Sequence, residues 1–278
     1  AAVAAALGVL NPVRPFNVQG LWWNAPAGSE SGWGINLAHQ GDVIFVTWFT
    51  YDANGRAWWL SMTAERSGAN TFIGTLYRTT GPAYSAVPFD PAQVQRIPVG
   101  GGTLTFIDGN NGGFAYTVNG ITQAKSITRQ VFGPLPTCTF GGQPNLALAT
   151  NYQDLWYAAP AASESGWGVN LTHQGDTIFA TWFTYDVDGT PMWLSASLGK
   201  VGAGAYTGAL IRTSGPAFDA AHFNPNAVTR SDAGTATIAF ANGNAASFTY
   251  EVIERTRVVR QTKAITRQVF RAPGTTCQ

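Results

Sequence analysis

The chain repeats itself. Residues 21–132 recur as 155–270, at an offset of 134 through Tyr116 and Tyr250. The offset becomes 138 near the end, where the second copy has four extra residues around Glu254 to Val259. Ser29 to Asp52 spans 24 positions, and only Ile35/Val169, Ala38/Thr172, Val43/Thr177 and Val46/Ala180 differ between copies. Internal self-similarity on this scale means that one structural unit is used twice. The length of 278 residues agrees with two units large enough to bury a core each. Core packing alone tolerates conservative swaps. Retained Glu, His, Gln, Asn and Asp therefore point to a shared site or interface.

Each copy reads as strands joined by tight turns. In the first copy the strands are expected near 20–25, 33–40, 43–51, 56–65, 71–78, 103–108, 112–118 and 121–132. Gln40-Gly41-Asp42, Asp52-Ala53-Asn54-Gly55 and Asn110 to Gly113 have hairpin-turn composition. Asp90-Pro91 and Asn224-Pro225 read as an N-cap followed by proline at the first helical position, starting one helical turn. Sequential hairpins predict an all-β chain of two tandem antiparallel up-and-down barrels of about eight strands. The expected organisation is an apolar N-terminal arm over 1–19, a first barrel over 20–132, a linker over 133–153 and a second barrel over 154–278.

Side chains alternate between strand faces. One face carries Trp33, Ile35, Leu37, Ile44, Val46, Trp48, Trp58, Leu60 and Met62, and reads as barrel core. The other mixes aromatic, amide and hydroxyl groups. It holds Asn36, Gln40, Phe45, Thr47, Phe49, Tyr51 and Trp59, repeated as Asn170, Gln174, Phe179, Thr181, Phe183, Tyr185 and Trp193. A face of this kind is not left fully in water. It lines a ligand cavity, or it packs against the other repeat or another subunit. All ten tryptophans fall in the first four strands of the two copies, so one side of each barrel is tryptophan-rich.

Gly20-Leu21-Trp22 opens the first barrel and Asp154-Leu155-Trp156 the second. The last strands carry Ile127-Thr128-Arg129-Gln130-Val131-Phe132 and Ile265-Thr266-Arg267-Gln268-Val269-Phe270. This pattern resembles the calycin superfamily, which includes lipocalins and avidins. The resemblance implies that Trp22 packs beneath Arg129 and Trp156 beneath Arg267, at the closure of each barrel. It also implies a habit of holding a small ligand inside the barrel, although no ligand residue carries over. The second copy departs from it, with Asp154 in place of glycine.

Composition excludes several classes. Charged residues are 11% of the chain, against roughly 25% for ordinary soluble domains. The net charge is +1, so no broad basic face for nucleic acid is expected. No apolar run reaches the roughly 18 residues of a transmembrane helix. Ala1 to Leu10 is an apolar segment, either the edge of an export signal or an arm docked in its own or a neighbouring chain. Cys138 and Cys277 follow the last strand of each repeat in matching contexts. They are read as an intrachain disulfide, with an interchain bond or two free thiols as alternatives. A disulfide implies an oxidising, secreted or cell-surface location.

The candidate chemistry is sparse. Glu30 with His39, and Glu164 with His173, are the residues an acid/base enzyme would use. The other reading gives each glutamate a loop-shaping role. One shared histidine per copy is too few for a metal site, and no cofactor is expected. Asp186-Val187-Asp188-Gly189 reads as a hairpin turn rather than a calcium loop, because the distal glutamate is missing. Arg78 and Arg212 are strand-end arginines expected to pair with a carboxylate such as Asp52. The basic stretch Arg255, Arg257, Arg260, Lys263, Arg267 and Arg271 reads as a solvated strand. Three functions remain in play. The first is a secreted, non-catalytic binding protein for a glycan or a small aromatic or apolar molecule. Its ligand residues would be Asn36, Gln40, Phe45, Phe49, Tyr51 and Trp59 with Asn170, Gln174, Phe179, Phe183, Tyr185 and Trp193. The second is a structural subunit of an extracellular filament or surface assembly, joined to copies of itself through Ala1 to Leu10. The third is a Glu/His hydrolase.

Overall fold

A computed structural model describes residues 16–254 and 257–278. The arm Ala1 to Leu10 and Arg255 lie outside the described residues. Two closed antiparallel eight-stranded barrels follow one another along the chain. The first is built from β1 (Gly20–Asn24), β2 (Gly34–Gln40), β3 (Val43–Tyr51), β4 (Ala57–Arg66), β5 (Thr71–Thr80), β6 (Gln95–Phe106), β7 (Asn111–Val118) and β8 (Ile121–Arg129). A short strand β9 (Cys138–Phe140) follows. The second barrel comprises β10 (Asp154–Ala158), β11 (Gly168–Gln174), β12 (Thr177–Tyr185), β13 (Pro191–Gly202), β14 (Ala205–Ser214), β15 (Thr229–Asn242), β16 (Ala245–Ile253) and β17 (Val258–Arg267). A final strand, β18 (Thr275–Cys277), pairs with β9, and the Cys138–Cys277 disulfide joins them.

Turn chemistry sets the hairpins. Gly41 and Gly175 take φ of 63° and 61°, and Asn119-Gly120 takes 50° and 83°, values that match the right-handed strand twist. Asp90 and Asn224 cap the single 3-10 turns Pro91–Gln93 and Pro225–Ala227 through their side chains, as the sequence predicts. One strand is longer than expected, since β6 begins at Gln95 and not near 103. Pro98 and Gly100-Gly101-Gly102 disguise it. A bulge there shifts the register, with Leu76 opposite Gly100 and Tyr77 opposite Pro98. Gly100 has φ of 154°, and a Cβ on it would lie 1.8 Å from the Thr117 carbonyl oxygen, so only glycine fits.

Closure is made at β1. Trp22 pairs in register with Arg129, and Trp156 with Arg267. Each guanidinium carbon sits 5.1 Å from its indole centroid. The barrel interiors are filled by their own side chains. Trp22, Ile35, Leu37, Ile44, Val46, Trp48, Leu60, Met62, Leu104 and Phe114 are all buried in the first. Trp48 lies 4.5 Å from Tyr116 between centroids, and Trp182 lies 4.4 Å from Tyr250.

The mixed faces of the two barrels bury each other in a seam with approximate two-fold symmetry. Gln40 Nε2 donates to the Gln268 carbonyl at 2.9 Å, and its Oε1 accepts from the Phe270 and Arg271 amides at 3.0 Å each. Gln174 does the same in reverse, donating to Gln130 and accepting from Phe132 and Gly133. Gln19 and Gln153 exchange side chain-to-carbonyl bonds at 3.0 and 3.1 Å. The Trp59 indole donates to Thr184 O and the Trp193 indole to Thr50 O, both at 2.9 Å. Each barrel also lends a loop to the mouth of the other. Tyr84 packs on Trp182 and Tyr250, and Phe89 stacks on Tyr185. In return Phe218 packs on Trp48 and Trp58, and Phe223 stacks on Tyr51.

Replacing Gln40 with leucine removes three cross-barrel hydrogen bonds and leaves their backbone partners without the amide. A loss of about 2–4 kcal/mol is expected, read as a lower urea midpoint at unchanged m-value.

Candidate functional site

The seam does not close along its whole length. Two grooves open on it, one for each direction of the approximate two-fold. The first has a volume of about 350 Å³. One wall comes from the first barrel, with Phe45, Thr47, Trp59, Ser61, Thr79 and Arg96. The other comes from the second barrel, with Tyr157, Ser165, Trp167, Phe183 and Gln268. The second groove measures about 310 Å³ and is lined by the matching residues. These are Phe179, Trp193, Ser195, Thr213 and Arg230 facing Trp23, Ser31, Trp33, Phe49 and Gln130. Both grooves therefore combine aromatic walls, hydroxyls, one glutamine and one arginine.

The local structure that shapes them starts from Ser29 to Gly34, between β1 and β2. Glu30 accepts from the Trp33 indole at 2.9 Å and from Lys125 Nζ at 2.9 and 3.0 Å. Glu164 holds Trp167 and Lys263 in the same way. Each carboxylate thus fixes the tryptophan that forms a groove edge. Gly32 and Gly166 let this loop approach the opposite barrel. A Cβ on either would lie 2.5 Å from a methyl of Val228 or Val94. Tyr51 and Tyr185 brace the loops, their hydroxyls donating to Gly32 O at 2.7 Å and Gly166 O at 2.6 Å. Burial pushes both phenols up to about 12, so they remain donors at any ordinary pH.

The twelve candidate ligand residues divide into two groups. Phe45, Trp59 and Phe183 line the first groove, and Phe49, Phe179 and Trp193 the second. Asn36, Gln40, Tyr51, Asn170, Gln174 and Tyr185 are buried between the barrels. Gln40, Gln174, Tyr51 and Tyr185 serve there as struts, and Asn170 bonds Thr47 Oγ1 at 2.8 Å. The grooves also use residues that sequence reading did not single out, namely Arg96, Arg230, Trp23, Tyr157, Gln130 and Gln268. A signal for the arginines was present. Between Gln95-Arg96-Ile97-Pro98 and Thr229-Arg230-Ser231-Asp232, only arginine is kept.

His39 and Glu30 do not meet in any hydrogen bond of the described residues. His39 Nδ1 accepts from the Val18 amide at 3.1 Å, and Nε2 lies 3.0 Å from the Gly41 carbonyl. His173 accepts from the Tyr152 amide and contacts the Tyr206 hydroxyl. Both imidazoles anchor the segment leading into the first strand of their barrel. Burial holds His39 down to about 4. It also lowers His173. The hairpin at Asp186 to Gly189 closes through an Asp186–Thr190 backbone bond, and Arg212 pairs with Asp186 at 2.8 Å. Four residues of the basic stretch are ion-paired, Arg257 to Glu254, Arg260 to Glu251, Lys263 to Glu164 and Arg267 to Asp154. No group of three or more metal-binding side chains occurs among the described residues.

Comparison with protein-family models, with characterised proteins and with solved structures finds no match to this chain.

A neutral His39 predicts acid sensitivity. Its unfolded value is near 6.5 and its folded value about 4, so the unfolded state binds more protons between the two. Stability should fall as pH drops from 6.5 to 4, by about 3 kcal/mol from this group. Asp154, pushed up to about 6 by burial against the pull of Arg267, contributes the opposite slope. Comparing urea midpoints of the wild type and His39→Gln across pH 4–7 isolates the histidine. The variant's acid-side decline should be shallower than the wild type's by about that amount, with the share of His173 kept.

Proposed function

We propose that this is a secreted binding protein that holds glycans in the two seam grooves. The observation that carries the reading is the duplication of one groove chemistry. Half-buried Phe45 and Tyr157 wall one groove and Phe179 and Trp23 the other, Ser61, Thr79, Ser195 and Thr213 add hydroxyls beside them, and volumes of about 350 and 310 Å³ suit one or two sugar rings each. Aromatic faces stack on the apolar faces of sugars, and hydroxyl and amide groups set their orientation. The Cys138–Cys277 disulfide supports an oxidising location outside the cytoplasm. We also read the barrels as calycin-like, on the strength of the Trp22–Arg129 and Trp156–Arg267 pairs. The ligand position differs from the habit that this resemblance implies, because the barrel interiors are packed and each mouth is covered by the partner loop.

A small aromatic ligand would fit the same walls, and sugar against aromatic probes tells the two apart. The assembly reading rests on Ala1 to Leu10, outside the described residues. The hydrolase reading has Glu30 and Glu164 tied to lysine and indole partners. The test is a glycan array followed by tryptophan fluorescence titration. Binding of a saccharide with an intensity change or spectral shift is expected, and it should weaken on Phe45→Ser. A blank array with unchanged fluorescence contradicts the reading.

A further inference from the structure

The drifting half of the repeat keeps few residues, and nearly all of them have a structural explanation. Over 91–100 against 225–234, four positions are shared, namely Pro91/Pro225, Val94/Val228, Arg96/Arg230 and Gly100/Gly234. The prolines start the 3-10 turns, and the valines fill the space left by Gly166 and Gly32. Gly100 and Gly234 both sit at positive φ, with a neighbouring carbonyl oxygen 1.8 Å from where a Cβ would be. The arginines alone have no such role. Neither side chain forms a salt bridge or a hydrogen bond among the described residues, and both are exposed. Arg96 stacks on Tyr77 at 4.2 Å, but the second copy has Ile211 at that place, so stacking is not what the copies share.

What they share is the groove. Arg96 lines the first and Arg230 the second. Each is the single charged residue in its groove, since neither lining contains aspartate, glutamate or lysine. A guanidinium fork matches a carboxylate in two parallel hydrogen bonds, and it stands here beside an aromatic wall that would take the ring. The electrostatics therefore select an anion. We infer that the ligand is an acidic saccharide, a uronic-acid type of sugar whose carboxylate binds Arg96 or Arg230 while its ring lies against Phe45 or Phe179, a half-buried aromatic of each groove. The inference rests on the glycan reading above. The chain carries two such sites, one per groove.

The probes are short oligogalacturonates, oligomannuronates and oligoglucuronates, each tested beside its carboxyl methyl ester. Titration calorimetry and tryptophan fluorescence read the binding to the full chain. At least one acid series should bind at two equivalents per chain, and its ester should bind weaker by about tenfold or more. Arg96→Gln should leave one equivalent. Arg96→Gln combined with Arg230→Gln should lose both, with an unchanged circular dichroism spectrum, because both arginines are exposed and neither forms a salt bridge or hydrogen bond among the described residues. Esters that bind as well as acids, or a double variant that keeps full acid affinity, would overturn the acidic ligand and leave the glycan reading standing. If neutral and acidic saccharides alike fail to bind, both readings go.

Discussion

The seam between the barrels is the constraint on which the rest depends. It is isologous, in that the surface of the first repeat that contacts the second is the same surface by which the second contacts the first. Gln40 reaches the exit of β17, and Gln174 reaches the exit of β8. Trp59 and Trp193 cross in opposite directions to backbone carbonyls. A change at one position is thus felt at the far end of the other barrel. This accounts for the near-identity of Ser29–Asp52 and its copy. Those residues form the loop that touches the other barrel, the strut glutamine and the aromatic walls, and their partners in the opposite repeat are equally fixed. The later strands face solvent on one side and have drifted.

Low charge follows from the same geometry. A lone barrel buries one face of each strand and needs charge on the other. Here β2, β3 and their mates β11 and β12 are buried on both faces nearly throughout. Charge is kept where it does local work. Glu30 and Glu164 tie the groove tryptophans to lysines. Asp154 pairs with Arg267 at 3.0 Å inside the second barrel's closure. In the first copy Gly20 occupies that position, and Arg129 keeps only the bonds to the carbonyls of Asn17, Gln19 and Gly109, which Arg267 also makes to Asn151, Gln153 and Gly243. Burial without a carboxylate holds Arg129 down to about 10. One set of carbonyl acceptors therefore holds both closures, and the second copy adds a carboxylate to it.

Much of this was legible beforehand, for physical reasons. Alternation along β3 sorted Ile44, Val46 and Trp48 from Phe45, Thr47 and Phe49, since strand period is fixed at two. Glycine and proline marked the hairpins and the 3-10 turns. The tryptophan–arginine pairs fell where the resemblance put them. The Cys138–Cys277 bond fell at matching ends, although the small sheet of β9 and β18 that frames it lies in a stretch that reads as a linker. Two things were not legible. The N-terminal half of β6 is masked by a bulge and by Pro98. The occupant of the mixed face depends on contacts between residues more than a hundred positions apart, such as Asn170 with Thr47. Periodicity reports that a face is buried but carries no information on what buries it. For the same reason half of the candidate ligand residues are buried between the barrels, and the arginines kept in both copies are tied to a groove only in three dimensions.

The central claim is that the mixed faces form one shared core between the barrels. Hydrogen exchange at the indole N–H groups of Trp59 and Trp193, followed by NMR, tests it most directly. Both groups donate across the seam, and their side chains are 5% and 2% exposed. They are expected to exchange only with global unfolding, alongside the amides of β3 and β12. Exchange of these two indoles at surface rates, while the barrel interiors stay protected, would contradict the account.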